Sequence, residues 1–158
     1  MKHQTVDQAR KVAVVLGQPT LPSMTRSQRL ERWADLLERR PGAVRLFRGT
    51  EYATSTEWLH MREDGSPISI AFGDPVLREE GLAGDSYGHA LQFFGLGNAG
   101  LHEIVCHCHY ASHANAACAD VAARVRRIAA GARRTEHVGQ VIRGIGSRIT
   151  GAVARAFG

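Results

Sequence analysis

The chain has 158 residues and a formal net charge of +5, and this charge is unevenly distributed. Residues 1–118 carry 12 Lys and Arg against 13 Asp and Glu, whereas residues 119–158 carry 8 Arg against Asp120 and Glu136. Because the first part is nearly neutral, the composition argues against a protein that coats nucleic acid with its whole surface. A hydrophobic content of 44% and a charged content of 22% are typical of a folded domain rather than of a disordered chain.

The apolar and cysteine content indicates a compartment. No early apolar stretch resembles a secretory signal, and no run approaches the roughly 20 apolar residues that a membrane span needs. The three cysteines all lie between Cys106 and Cys118, and an odd, closely spaced set argues against a disulfide framework. We therefore expect a cytoplasmic protein with reduced thiols.

Two helices are predicted in the first forty residues. Apolar residues recur at helical spacing over residues 5–16. A second helix is predicted over residues 26–40, because Thr25 and Gln28 have the spacing of a capping box and Pro41 follows the pattern. One face of this second helix is apolar and is predicted to be buried: Leu30, Trp33 and Leu37, with Leu36 at its edge.

Residues 43–72 show mixed signals. Val44, Leu46 and Phe47 predict a short strand or turn, and residues 56–61 predict a helical turn. The turn signal over residues 64–67 precedes Ile68, Ile70 and Phe72, whose alternation is typical of a strand. A small β-hairpin is allowed in this region, although nothing requires one.

The rest of the chain is predicted to be helical. Residues 75–80 follow the cap Asp74, residues 87–94 follow Asp85 or Ser86, and further helices are predicted over residues 98–110 and 114–130, the last ending at Gly131. The sequence therefore predicts a mainly α domain of five to seven short helices, with at most a minor β-hairpin, over residues 1–131. A basic amphipathic C-terminal helix, residues 132–158, follows this domain.

Cysteine and histidine are concentrated in one segment. Of the 11 Cys and His residues in the chain, 7 lie between His102 and Cys118. On a helix over residues 98–113, spacings of four, three and four would place a row of Cys and His on one face, and imidazole and thiolate are the ligands that zinc and similar cations prefer. The predicted site for a transition metal, either zinc or iron including haem, consists of His102, Cys106, His109 and His113, with Cys118 from the next helix.

Two other interpretations of this segment stay open. Cysteine behaves as a small buried hydrophobe, and Cys108 and Cys118 fall on apolar faces of the predicted helices, so part of the cluster fits a core. The segment also lacks a Cys-x-x-Cys pair, which marks the strongest zinc motifs. In a third interpretation, Cys106 is the nucleophile of a thiol enzyme or redox sensor, with His102 or His109 as its base.

Residues 87–106 allow a further alternative, a DNA-binding regulator. Two predicted helices flank Gly95, and Leu101 and Ile104 have the spacing with which the second helix of a helix-turn-helix unit faces the first. The would-be recognition helix offers few side chains suited to base contacts, and the carboxylate of Glu103 would repel the phosphates. Nucleic-acid binding is therefore not favoured.

The C-terminal segment separates into an aliphatic face and a cationic face when it is plotted as a helix. Such a helix suits a protein partner or a second copy of the chain, and peripheral contact with an anionic membrane is an alternative. The residues predicted to bind the partner are Ile142, Arg143, Ile145, Arg148, Ile149 and Arg155. Since no catalytic motif is recognisable, we expect a small non-enzymatic binding or regulatory protein with a metal site and a docking segment.

Overall fold

The structure is a computed structural model that describes residues 23–50, 53–111 and 115–156, with side chains as far as residue 137. The helix predicted over residues 5–16 lies outside these ranges. The described part is mainly helical and contains one small two-stranded sheet, which confirms the predicted fold class.

The elements follow one another in a fixed order along the chain. The helices are α1 (Arg26–Glu38), α2 (Ser55–His60), α3 (Pro67–Gly73), α4 (Pro75–Glu79), α5 (Tyr87–Phe94), α6 (Asn98–Val105) and α7 (Cys118–Ala156). The strands are β1 (Ala43–Arg45) and β2 (Asn115–Ala117), and a 3-10 turn covers His107–His109. Helices α1, α2, α4 and α5 match predicted elements closely.

Helix α1 forms the centre of the fold. The predicted capping box is present, because the Thr25 hydroxyl accepts from Gln28 N and the Gln28 side chain accepts from Thr25 N. Of the face that periodicity predicted to be apolar, Leu30, Trp33 and Leu37 are fully buried and Leu36 at its edge is half-buried. Trp33 stacks on Phe94 with ring centroids 4.4 Å apart, and its indole N–H donates to the Pro67 carbonyl at 2.8 Å. One side chain therefore joins α1 to α3 and α5.

Helices α1 and α7 form the most extensively packed pair of elements and run antiparallel. The Arg126 guanidinium bonds to Asp35 and Glu38 near the end of α1, at 2.8 and 2.6 Å. Ten residues later on α7, the Glu136 carboxylate accepts from the backbone N–H and the hydroxyl of Ser27, at 3.0 and 2.5 Å, in the first turn of α1. Contacts therefore fasten α7 along the full length of α1.

The sheet connects distant parts of the chain. Strands β1 and β2 pair antiparallel, with Val44 opposite Ala116. Just beyond β1, Phe47 forms a parallel bridge with Cys106: Phe47 N donates to the Val105 carbonyl at 2.9 Å, and His107 N donates to the Phe47 carbonyl at 3.1 Å. The sheet therefore joins residues 43–45 to 115–117, and it is not a hairpin within residues 43–72.

The strand predicted at Ile68, Ile70 and Phe72 is wrong, because these residues lie in α3. The Ser66 hydroxyl caps this helix by accepting from Ser69 N at 3.2 Å, and Pro67 occupies its first position. The apparent turn signal is therefore a helix start, since proline at the first helical position loses no hydrogen bond.

The predicted bounds of the last two helices are also wrong. Helix α6 stops at Val105 rather than residue 110, because Cys106 has an extended backbone and pairs with Phe47. Helix α7 starts at Cys118 rather than residue 114, after β2, and it continues through Gly131 to Ala156. The proposed division of the chain at residue 131 stays a prediction, but the helix itself is continuous there. No helix in the described ranges has the length and apolarity to cross a membrane.

We predict that Glu136→Gln lowers the free energy of unfolding by about 1 kcal/mol, as expected for a lost charged acceptor at a helix N-terminus. Burial raises the pKa of Glu136, but hydrogen bonds from Ser27 outweigh burial and hold it below the ordinary 4.5. The stabilisation is therefore full above pH 4.5 and is lost as pH falls through the lower folded-state value. Denaturant unfolding of both proteins at several pH values measures the difference.

Asp64→Asn is the matched control, because this exposed carboxylate lies in the turn before α3. Equal free energies of unfolding for Glu136→Gln and the parent protein at pH 7 would contradict the role assigned to Glu136. A difference in free energy of unfolding that grows as the pH falls below 4 would also contradict it.

Candidate metal centre

Helix α6 presents His102 at the edge of the core. Leu101, Ile104 and Val105 are fully buried, and His102 lies beside this apolar face in a half-buried position. The helix ends one turn after His102, and the chain reverses through the 3-10 turn. As a result, Cys108 and His109, which follow α6, lie next to His102, which belongs to α6.

The reversal places two imidazoles in direct contact. His102 Nδ1 and His109 Nε2 are 2.8 Å apart, and the two rings are nearly perpendicular, with centroids 5.0 Å apart. Cys108 joins this pair: one ligand atom from each of His102, Cys108 and His109 lies within 4.8 Å of the others. Because Cys108 and His109 are exposed, an ion can reach these three residues, which we name the turn site.

Two side chains hold the 3-10 turn in place. The Tyr110 hydroxyl donates to the Ile104 carbonyl at 2.6 Å, and the Arg124 guanidinium donates to the His109 carbonyl at 2.5 Å. Arg124 also lies over the Tyr110 ring, 4.3 Å from its centroid. Burial raises the pKa of Tyr110 well above its ordinary 10.0, so the phenol keeps the proton that it donates. The turn is therefore anchored to both α6 and α7.

A second set of contacts orients His102. Its Nε2 lies 3.2 Å from the hydroxyl of the buried Thr50, and the Trp58 indole N–H donates to the Thr50 carbonyl at 2.6 Å. In the tautomer that carries hydrogen on Nε2, the imidazole donates to Thr50, and the Nδ1 lone pair is directed towards the turn site. Metal-binding histidines usually have such an oxygen partner on the second nitrogen.

The structure brings together two residues of the predicted metal set and separates others from them. Cys106 is completely buried in the core, and the equally inaccessible Cys118 donates its backbone N–H to Gly42 where α7 begins. Neither belongs to the converging group. His113 lies outside the described residues, so its place in the predicted set stays a prediction.

Cys108 is the member of the turn site that sequence reasoning assigned to the core instead. On a continuous helix it falls on the apolar face with Leu101 and Ile104, but the break at Cys106 reverses this arrangement and leaves Cys108 exposed. A sequence signal was present nevertheless, because the segment Cys106 to His109 contains four consecutive Cys and His residues. Such a run indicates ligands whichever backbone conformation it adopts.

The helix pair considered for DNA binding is present in outline. Gly95 joins α5 to α6 in the left-handed conformation, with a φ of 59°. On α6, the Glu103 carboxylate pairs with Arg127 at 2.9 Å and with Arg124 at 3.7 Å. Arg124 and Arg127 beside this helix therefore already have an acidic partner.

Comparison of the chain with protein-family models, curated proteins and solved structures finds no match.

Proposed function

We propose that the protein binds a transition-metal ion of the zinc class at the turn site. The observation that carries this proposal is the convergence of His102, Cys108 and His109, whose ligand atoms lie within 4.8 Å of one another. Two imidazoles and a thiolate form a mixed nitrogen and sulfur set suited to a borderline-soft cation. Three protein ligands leave the fourth tetrahedral position to water or to a further ligand.

The two imidazole nitrogens require only a small adjustment on binding. Two nitrogens that are each about 2.0 to 2.1 Å from a tetrahedral ion lie roughly 3.3 Å apart. His102 Nδ1 and His109 Nε2 are 2.8 Å apart, so they must separate by about half an ångström. The exposed His109 side chain can make this movement while the anchored turn keeps its backbone in place.

The geometry favours a single ion over haem held by two histidines. Axial ligands approach the haem iron from opposite faces of the macrocycle, and two nitrogens in hydrogen-bond contact leave no space for a porphyrin between them. The exposed thiol beside the pair adds a ligand that a small soft ion can use. Zinc is therefore our choice over iron or haem.

We propose a metal-binding function rather than a catalytic or DNA-binding one. The thiol enzyme or redox sensor requires a reachable Cys106, and that side chain is completely buried. The DNA-binding alternative requires a positive surface on α6, where the Glu103 carboxylate engages Arg124 and Arg127. Neither alternative has an observation of comparable weight in its favour.

The C-terminal half of α7 has the second role, as a docking segment for a protein partner or another subunit. Its predicted contact residues, Ile142 to Arg155, lie in a stretch whose backbone is helical as far as Ala156. Four glycines would make such a helix marginal on its own, since each costs about 1 kcal/mol relative to alanine. A surface that covers it would stabilise it.

The direct test of the metal site is a calorimetric titration of the reduced, chelator-treated protein with zinc. We expect one equivalent to bind, and we expect Cys108→Ser and His109→Ala each to weaken binding by at least 100-fold, more than the roughly 10 to 100-fold typical of an outer contact. Binding should also weaken as pH falls, because protons compete for the ligands.

His60→Ala and Cys118→Ser are the controls, since His60 is an exposed histidine on α2 and Cys118 is a buried thiol outside the turn site. Both should retain the parent affinity. Failure of the parent protein to bind zinc or copper, or an equal effect of control and turn-site variants, would refute the metal-binding proposal.

A separate prediction concerns Thr50, which orients His102. Thr50→Val preserves the shape of this buried side chain but removes the hydroxyl, so zinc affinity should fall by about 10 to 100-fold. Thr50→Ser keeps the oxygen and should remain close to the parent protein. Nitrogen-15 NMR of the His102 ring should show less of the Nε2-protonated tautomer in Thr50→Val alone, and equal spectra for the two variants would argue against this role.

A further inference from the structure

Helix α7 carries two rows of residues with coiled-coil spacing. The first row is Cys118, Ala122, Val125, Ala129, Ala132 and Glu136, which follow one another at intervals of four and three residues. Its first five members are buried, and Glu136 caps α1. This row, which we name the body row, is the side of α7 that packs against the rest of the described chain. We call that rest of the chain, α1 to α6 with the two strands, the body.

The body row does not continue as an apolar seam beyond Glu136. The same intervals lead to Gly139, Arg143, Gly146 and Thr150, which are small or polar. Helix α1 also begins at Arg26, beside Ser27 and Glu136, so it does not extend along the later turns of α7. At this point α7 loses both its apolar seam and its described helical partner.

A second row overlaps the last turn of the body row and continues beyond it. It consists of Gly131, Thr135, Val138, Ile142, Ile145, Ile149, Ala152 and Ala156, again at intervals of four and three. It is displaced from the body row by one residue, which is about 100° around a helix. Gly131 and Thr135, whose surroundings the structure describes, are both exposed. This second row, the outer row, is therefore not covered by the rest of the described chain at Gly131 and Thr135.

We infer that the outer row is the seam of a parallel coiled coil between two copies of the chain. This inference rests on the docking role proposed above for the C-terminal half of α7. From Val138 to Ala156 this row is apolar at intervals of four and three over about five helical turns, which is the pattern that makes helices supercoil around each other. A second copy of the chain carries the same apolar row, so the two rows can pack against each other without a different partner protein.

Charge selects the parallel orientation. No acidic residue follows Glu136, and Arg148 and Arg155 occupy the positions that flank the seam on one side. In a parallel pair, these positions face Gly146, Val153 and their equivalents on the other side of the seam in the second copy. An antiparallel pair would instead bring arginine close to arginine, which is unfavourable.

The displacement between the rows also makes room for the two bodies. A parallel pair brings both bodies to the same end of the coiled coil. Because the body row lies about 100° from the outer row, each body packs, from Gly131 onwards, on the flank of its helix rather than across the seam. Glycine at position 131 leaves space for close approach, since a Cβ there would meet no atom within 4 Å.

The test is the molar mass of the full chain by light scattering after size exclusion, at micromolar concentration. We expect about twice 17.2 kDa for the parent protein. Ile145→Asp introduces a charge into the outer row and should give the mass of one chain. Ser147→Asp introduces the same charge off the row and should keep the double mass.

Orientation is tested by crosslinking in a Cys108→Ser background. Ala152→Cys should form a disulfide-linked dimer under mild oxidation, whereas Ser147→Cys, off the seam, should not. A parent protein of one-chain mass, equal masses for Ile145→Asp and Ser147→Asp, or equal crosslinking of both cysteines would overturn the inference. If a monomeric parent binds phosphatidylglycerol vesicles and Ile145→Asp does not, self-pairing fails and the segment docks on a membrane surface instead of on a protein, whereas the proposed metal site is unaffected.

Discussion

The backbone pairing of Phe47 with the end of α6 is the constraint on which the proposed metal site depends. Two hydrogen bonds, from Phe47 N to the Val105 carbonyl and from His107 N to the Phe47 carbonyl, hold Cys106 in an extended conformation. A helix cannot continue through such a residue. Cys106 is therefore buried in the core, and the 3-10 turn that follows brings Cys108 and His109 back to His102.

Helix α7 contacts both this 3-10 turn and the core of the molecule. Near its start, Arg124 holds the His109 carbonyl, and further along Arg126 and Glu136 bind the two ends of α1. Beyond Glu136 the same helix has an apolar row on a different face. One continuous helix thus connects the proposed metal site, the core and the proposed self-pairing surface.

The parts of the fold that depend on neighbouring residues could be predicted from the sequence. The capping box at Thr25 and Gln28, the buried face of α1 and the cap at Asp74 all arise within four residues of the chain. The end of α6 could not be predicted in this way, because its cause, Phe47, lies far back in the sequence. Gly131 lies inside a helix for a similar reason, since packing of Ala129 and Ala132 against the body outweighs its low propensity.

The same distinction explains the candidate site. Composition alone indicated that the Cys and His segment is a candidate metal site. Helical spacing placed His102 and His109 on one face, and they are close in the structure because the 3-10 turn reverses the chain. Spacing could not show that Cys106 and Cys108 exchange places, one turned inward and the other outward. That exchange follows from a single extended residue, and it changes which thiol is available to a metal.

The most direct test of the metal site is X-ray absorption at the zinc edge of the loaded protein. The account predicts one sulfur at about 2.3 Å together with nitrogen or oxygen ligands at about 2.0 to 2.1 Å, and imidazole scattering from two histidines. Loading the Cys108→Ser protein at high zinc should remove the sulfur shell. A parent spectrum without sulfur, or a sulfur shell that persists in Cys108→Ser, would contradict the assignment of the turn site.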